Sequence, residues 1–210
     1  MENVFKKNSI LKVMEENLWM VMLFILFFTI GMVLGVYTVK YMSNYDMNNL
    51  NDYFSLFLQS IKGKSFNSRE LVLEAVKNNA IIIFIIWCSG FTILGVPFTL
   101  IVNTIKGYTL GFAFSFIIAT MGYKSLGIAI LSLIPQNIIY VSCMFIISVV
   151  SFKLSLEKIK NKFIKTSPYA NNKNVVHYLY CFIIISVFMF LGFFIEGLFT
   201  PNLIRYIIAR

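Results

Sequence analysis

Charged side chains divide this chain into long uncharged runs, and their spacing restricts the fold more than any other feature. The runs lie between Glu16 and Lys40, Lys77 and Lys106, Lys106 and Lys124, Lys124 and Lys153, and Lys173 and Glu196. A helix needs about 20 mostly apolar residues to cross a hydrocarbon core roughly 30 Å thick. Four runs reach that length, and the run after Lys106 holds 17 residues. In lipid every backbone N–H and C=O must be bonded inside the protein, which favours helices over any open sheet. The expected fold is all-α: a polytopic integral membrane helical bundle with about five transmembrane helices.

The charges also set the expected boundaries within this single membrane domain. Residues 1–16 form a cytoplasmic N-terminus, 17–39 the first span and 40–78 an outer loop. The second, third and fourth spans take 79–105, 107–123 and 125–152. Residues 153–174 make a Lys-rich cytoplasmic loop, 175–199 the fifth span and 200–210 an outer C-terminus. Orientation follows from loop charge. Lys153 to Lys173 carries six Lys and one acid, whereas Lys40 to Asn79 balances five basic residues with four acids. The short third span requires Lys106 and Lys124 to reach opposite faces. A re-entrant third segment is the alternative, and it would turn the C-terminus inward.

The net charge of +9 comes from 18 Lys and Arg scattered between apolar spans, without a basic domain. Attraction to anionic lipid headgroups accounts for it, and no nucleic-acid partner is expected. Cys88, Cys143 and Cys181 occupy separate apolar runs, and His177 is the single histidine. The chain contains no GxSxG, HExxH, P-loop or paired-carboxylate pattern. The reading is therefore non-enzymatic, with no catalytic, cofactor-binding or metal residues.

What the spans do carry are packing and helix-breaking signals. Gly31 and Gly35 form a GxxxG pair, and Gly107, Gly111, Ser115 and Ala119 recur every fourth position. Such stripes let backbones approach closely in lipid, for packing, for partner binding or for a homodimer. Pro97 and Pro135 are expected to interrupt spans two and four, and Pro201 to stop the fifth. Gln136 and Asn137 beside Pro135 are costly in hydrocarbon unless bonded, as structural glue or along a substrate path. Glu196 falls near the far end of the fifth span, either solvated or paired with Arg205, or as a buried functional acid. In the outer loop Leu50, Phe54, Phe57, Leu58 and Ile61 recur at helical spacing, predicting a short amphipathic helix. A second short helix begins near Ser68. These helices suit a lid over the bundle or a partner site.

The ordered set Leu94-Gly95-Val96-Pro97, Lys106-Gly107 with Gly111-Phe112, Ile134-Pro135-Gln136-Asn137 and Glu196 with Thr200-Pro201 resembles the stage II sporulation protein M family of endospore-forming bacteria. Ser115 stands where the family pattern has another glycine. The resemblance implies a membrane scaffold for engulfment, on the mother-cell side of the sporulation septum. It also implies two partners, the stage II sporulation proteins P and D, which degrade peptidoglycan. The competing class is a transporter, channel or permease subunit with a midplane polar site at the Pro135 break.

Overall fold

The computed structural model describes residues 17–62, 68–121, 126–164 and 169–194, and among them there is no strand. Among the described residues six helices follow one another: α1 Leu18–Lys40, α2 Asn44–Lys62, α3 Ser68–Gly90, α4 Gly95–Met121, α5 Leu126–Ile164 and α6 Tyr169–Phe194. Among the described residues three helical stretches are long and apolar enough to cross a membrane, Leu18–Lys40, Gly95–Thr120 and Leu133–Ile159. Ala80–Gly90 and Tyr178–Met189 are shorter apolar stretches of α3 and α6. α1 is apolar on all sides, and Met22, Ile25, Ile30 and Val33 point outward. That pattern belongs to a helix solvated by lipid rather than water.

The helices divide the chain differently from the charges. α4 passes through Lys106 without a break. The boundary between α3 and α4 therefore lies at residues 91–94, not at Lys106. Pro97 is the third residue of α4, in the first turn, where a missing N–H removes no helical bond. α5 continues through Pro135, so the interruption expected there does not occur. α3 runs unbroken from Ser68, joining the predicted short helix to the apolar stretch beyond it. Ser43 caps the start of α2: Asp46 N–H donates to Ser43 Oγ at 3.2 Å, and Ser43 Oγ donates to Asp46 Oδ2 at 2.6 Å.

α5 is the central helix. Its apolar window is 61% buried, against 22% and 28% for those of α1 and α4. Met144 and Ile147 of α5 pack with Ile83 and Ile86 of α3 and Ile185 and Met189 of α6. Val149 and Phe152, on another face, hold Met20 and Phe24 of α1. Contact order gives helix direction. Phe24 meets Phe152 and Phe28 meets Phe145, so α1 and α5 are antiparallel. Gly31 faces Thr104 and Gly35 faces Tyr108, so α1 and α4 are parallel. Ile86 meets Ser151 and Phe91 meets Lys158, so α3 and α5 are parallel. Tyr178 meets Ser151, whereas Phe193 meets Tyr140, so α6 opposes α5. The start of α1, the α3–α4 turn, Lys158 and Tyr178 thus share one end of the bundle.

Candidate functional site

Two features organise the interior, a glycine seam and a capped helix break. The seam joins α1 to α4. A Cβ at Gly31 would meet Thr104 O, at Gly35 Tyr108 O, at Gly107 Phe28 O and at Gly111 Met32 O, all closer than real Cβ contacts allow. Two GxxxG pairs therefore interlock within one chain. Gly107 and Gly111 are consequently closed to an outside partner. Of the remaining stripe, Ser115 is half-buried and Ala119 is exposed.

The break lies between Gly90 and Gly95. The last carbonyls of a helix lack intrahelical donors, and hydrocarbon offers none. Here the chain supplies them. Phe91 N–H bonds Cys88 O at 3.1 Å and Thr92 N–H bonds Ser89 O at 2.9 Å, tightening the final turn. Tyr178 Oη donates to Trp87 O at 2.6 Å. Lys158 Nζ donates to Phe91 O at 2.8 Å and lies 5.3 Å from the Phe91 ring centroid. Ser155 Oγ donates to Thr92 O at 2.8 Å, with Ile93 O at 3.3 Å. Ser151 Oγ reaches Ile86 O at 3.0 Å and Tyr178 Oη at 2.7 Å. A cation at the negative end of the α3 dipole adds to the same stabilisation. Glycine is required at Gly90, where a Cβ would strike Tyr178 Oη, and at Gly95, where it would strike Ser89 O.

The capping groups Ser151, Ser155 and Lys158 share one face of α5 with Ser148, one turn earlier. Ser148 Oγ accepts from Asn103 Nδ2 at 2.9 Å, and the same nitrogen donates to Thr99 O at 2.6 Å. Asn103 is fully buried, yet its Oδ1 has no hydrogen-bond partner. An orphaned buried oxygen costs free energy, whereas removing both members of a buried polar pair can be nearly neutral. The double substitution Asn103→Leu with Ser148→Ala should therefore change stability by less than about 1 kcal/mol, read by denaturant unfolding in detergent.

The other residues singled out by sequence are spread along the bundle. Lys106 Nζ lies 5.7 Å from the centroid of the buried Tyr140 ring, a cation–π contact. Asn137 Nδ2 donates to Leu133 O at 2.8 Å, not to the carbonyl four residues before Pro135. Asn137 also borders an open groove of about 640 Å³ between α1, α4 and α5. Phe54 of α2 packs edge-on against Phe116 of α4, with centroids 5.7 Å apart, and Leu50 is half-buried on the same helix. The side chains of Phe57, Leu58, Ile61 and Gln136, and all of Glu196 and Pro201, lie outside the described residues. Cys143 and Cys181 are buried free thiols, and Cys88 is a half-buried one. Among the described residues no group of three or more His, Cys, Asp or Glu is placed to hold a metal.

Sequence reasoning passed over Ser148, Ser151, Ser155, Lys158, Asn103 and Tyr178. The signal that marks four of them is a 3-4-3 spacing of three hydroxyls and a lysine, set among apolar residues. Chemically, the seam and the capped turn bind backbone to backbone and side chain to carbonyl. They hold helices in place.

An apolar exterior, helices of membrane-spanning length and internally bonded helix ends define a polytopic helical membrane protein. The family model described as Stage II sporulation protein M matches residues 24–201. The chain belongs to the stage II sporulation protein M family, which makes it a sporulation-related membrane protein. No curated protein and no solved structure matches the chain.

Proposed function

We propose that this protein is a non-enzymatic membrane scaffold of the engulfment machinery. It anchors the peptidoglycan-degrading stage II sporulation proteins P and D on the mother-cell side of the septum. In this reading α1, α3, α4, α5 and α6 all cross the membrane. Their alternating directions fit five crossings, with the end that carries Lys158 on the cytoplasmic side. The observation that carries the proposal is the use made of buried hydroxyls. Ser151, Ser155 and Tyr178 are spent on the carbonyls of a turn, which serves a rigid frame rather than a reaction. With Gly107 and Gly111 enclosed, α2 becomes the partner face, where Tyr45, Tyr53 and Leu56 are exposed.

The transporter reading draws on the helix break, since broken helices often mark substrate sites. Here the break lies at one end of the bundle, and protein donors cap its carbonyls. The test uses affinity-tagged protein from sporulating cells. Wild type should co-purify the two cell-wall enzymes, and Tyr53→Asp combined with Leu56→Asp should reduce their recovery to background while membrane insertion persists. Solute flux in liposomes, together with no enzyme recovered by wild type, would overturn the scaffold in favour of transport.

A further inference from the structure

The groove beside α1 has a length, a lining and a charged end that together describe a ligand. α1 lines it from Phe28 to Tyr37, about 13 Å at 1.5 Å per residue. One leaflet of a hydrocarbon core about 30 Å thick measures roughly 15 Å. The walls, including Val33, Val36, Phe114 and Ile138, are apolar. Asn137 is the polar exception, and its amide nitrogen is already bonded to Leu133 O.

The Tyr37 end differs. Tyr37 stacks on Tyr41, with centroids 5.9 Å apart and planes within 5°. Lys40 Nζ lies 5.6 Å from the centroid of the Tyr41 ring, and Lys40 is exposed. An apolar trough one leaflet deep therefore ends in an aromatic shelf that carries a cation. Tyrosine and lysine at that depth belong to the headgroup layer. We propose that the groove binds one acyl chain of an anionic phospholipid, with the headgroup phosphate held at Lys40. A transmembrane helix is the poorer fit, because an apolar helix brings no anion to the exposed cation at Lys40. This assignment goes beyond the scaffold reading and does not depend on it.

The experiment is native mass spectrometry of the full chain, given equimolar phosphatidylglycerol and phosphatidylcholine with identical acyl chains. Wild type should retain one phosphatidylglycerol about fivefold in preference to phosphatidylcholine, the equivalent of one lysine near the membrane surface. Lys40→Glu should remove that preference and leave phosphatidylcholine retention unchanged. Ile138→Trp fills the groove from an exposed position and should diminish both lipids. Val36→Trp, at another exposed lining position, replaces it if the first variant does not fold. Either class of variant retaining phosphatidylglycerol like wild type overturns the proposal. So does crosslinking of a second copy or a partner helix, without lipid displacement, from a cysteine at position 138.

Discussion

Gly111→Ile should unfold the bundle rather than release a partner. A Cβ at this position already collides with the backbone of Met32; α1 backbone also faces Gly107, and α4 backbone faces Gly31 and Gly35. Backbone cannot rotate away as a long side chain can. Overpacking ordinarily costs about 1–3 kcal/mol, a range that suits Gly111→Ala. The three further carbons of isoleucine must separate α1 from α4 and expose the seam along its length, so the expected loss exceeds that range. Size-exclusion profiles and denaturant unfolding in detergent should show Gly111→Ala folded but weakened, and Gly111→Ile aggregated or degraded. Ala119→Ile supplies the control, because Ala119 continues the same stripe but is exposed; it should unfold like wild type. If Gly111→Ile unfolded like wild type and lost only its partners, the stripe would be an outward-facing docking surface and this packing would be wrong.

Individual segments were more legible in the sequence than the relations between them. Uncharged runs predict helices because hydrocarbon leaves the backbone few alternatives. Glycine at every fourth residue predicts close approach, yet does not say to which helix. Gly31 and Gly35 find Gly107 and Gly111 through a parallel pairing of α1 with α4 that no local pattern encodes. Proline was an uneven guide: the predicted second span does break, at 91–94 just before Pro97 opens α4, whereas α5 absorbs Pro135. Lys106 looked like a boundary because charge is costly in lipid, but the Tyr140 ring receives it along the length of α4. The Ser148, Ser151, Ser155 and Lys158 face was the least visible feature. A serine in an apolar helix can bond its own i−4 carbonyl, so it reads as filler until the helix end that it caps has been located.

The second large effect is expected from Tyr178→Phe, which removes one oxygen and leaves the ring in place. The Tyr178 hydroxyl has a single proton, and Trp87 O lies 2.6 Å away. The Phe91 N–H, which would serve that carbonyl in a continuing helix, bonds Cys88 O instead. Losing the hydroxyl leaves a buried acceptor without this donor, at about 1–3 kcal/mol. Ser151→Ala should cost less, because Ile86 O also receives Ser89 Oγ at 2.6 Å. The Ser151 and Tyr178 oxygens lie 2.7 Å apart, so the double variant should lose less than the two single losses added together. The damage should be local. Trp87 stacks on Phe182 at 4.8 Å and meets Phe91 edge-on at 5.2 Å, so its emission reports the state of the turn. In a Trp19→Phe background Trp87 is the only remaining tryptophan. Tyr178→Phe should shift its emission and speed hydrogen exchange at residues 88–95, whereas Tyr180→Phe, at an exposed neighbouring position, should do neither. Equal effects from the two tyrosines would mean that ring packing, rather than capping, holds α3 to α6.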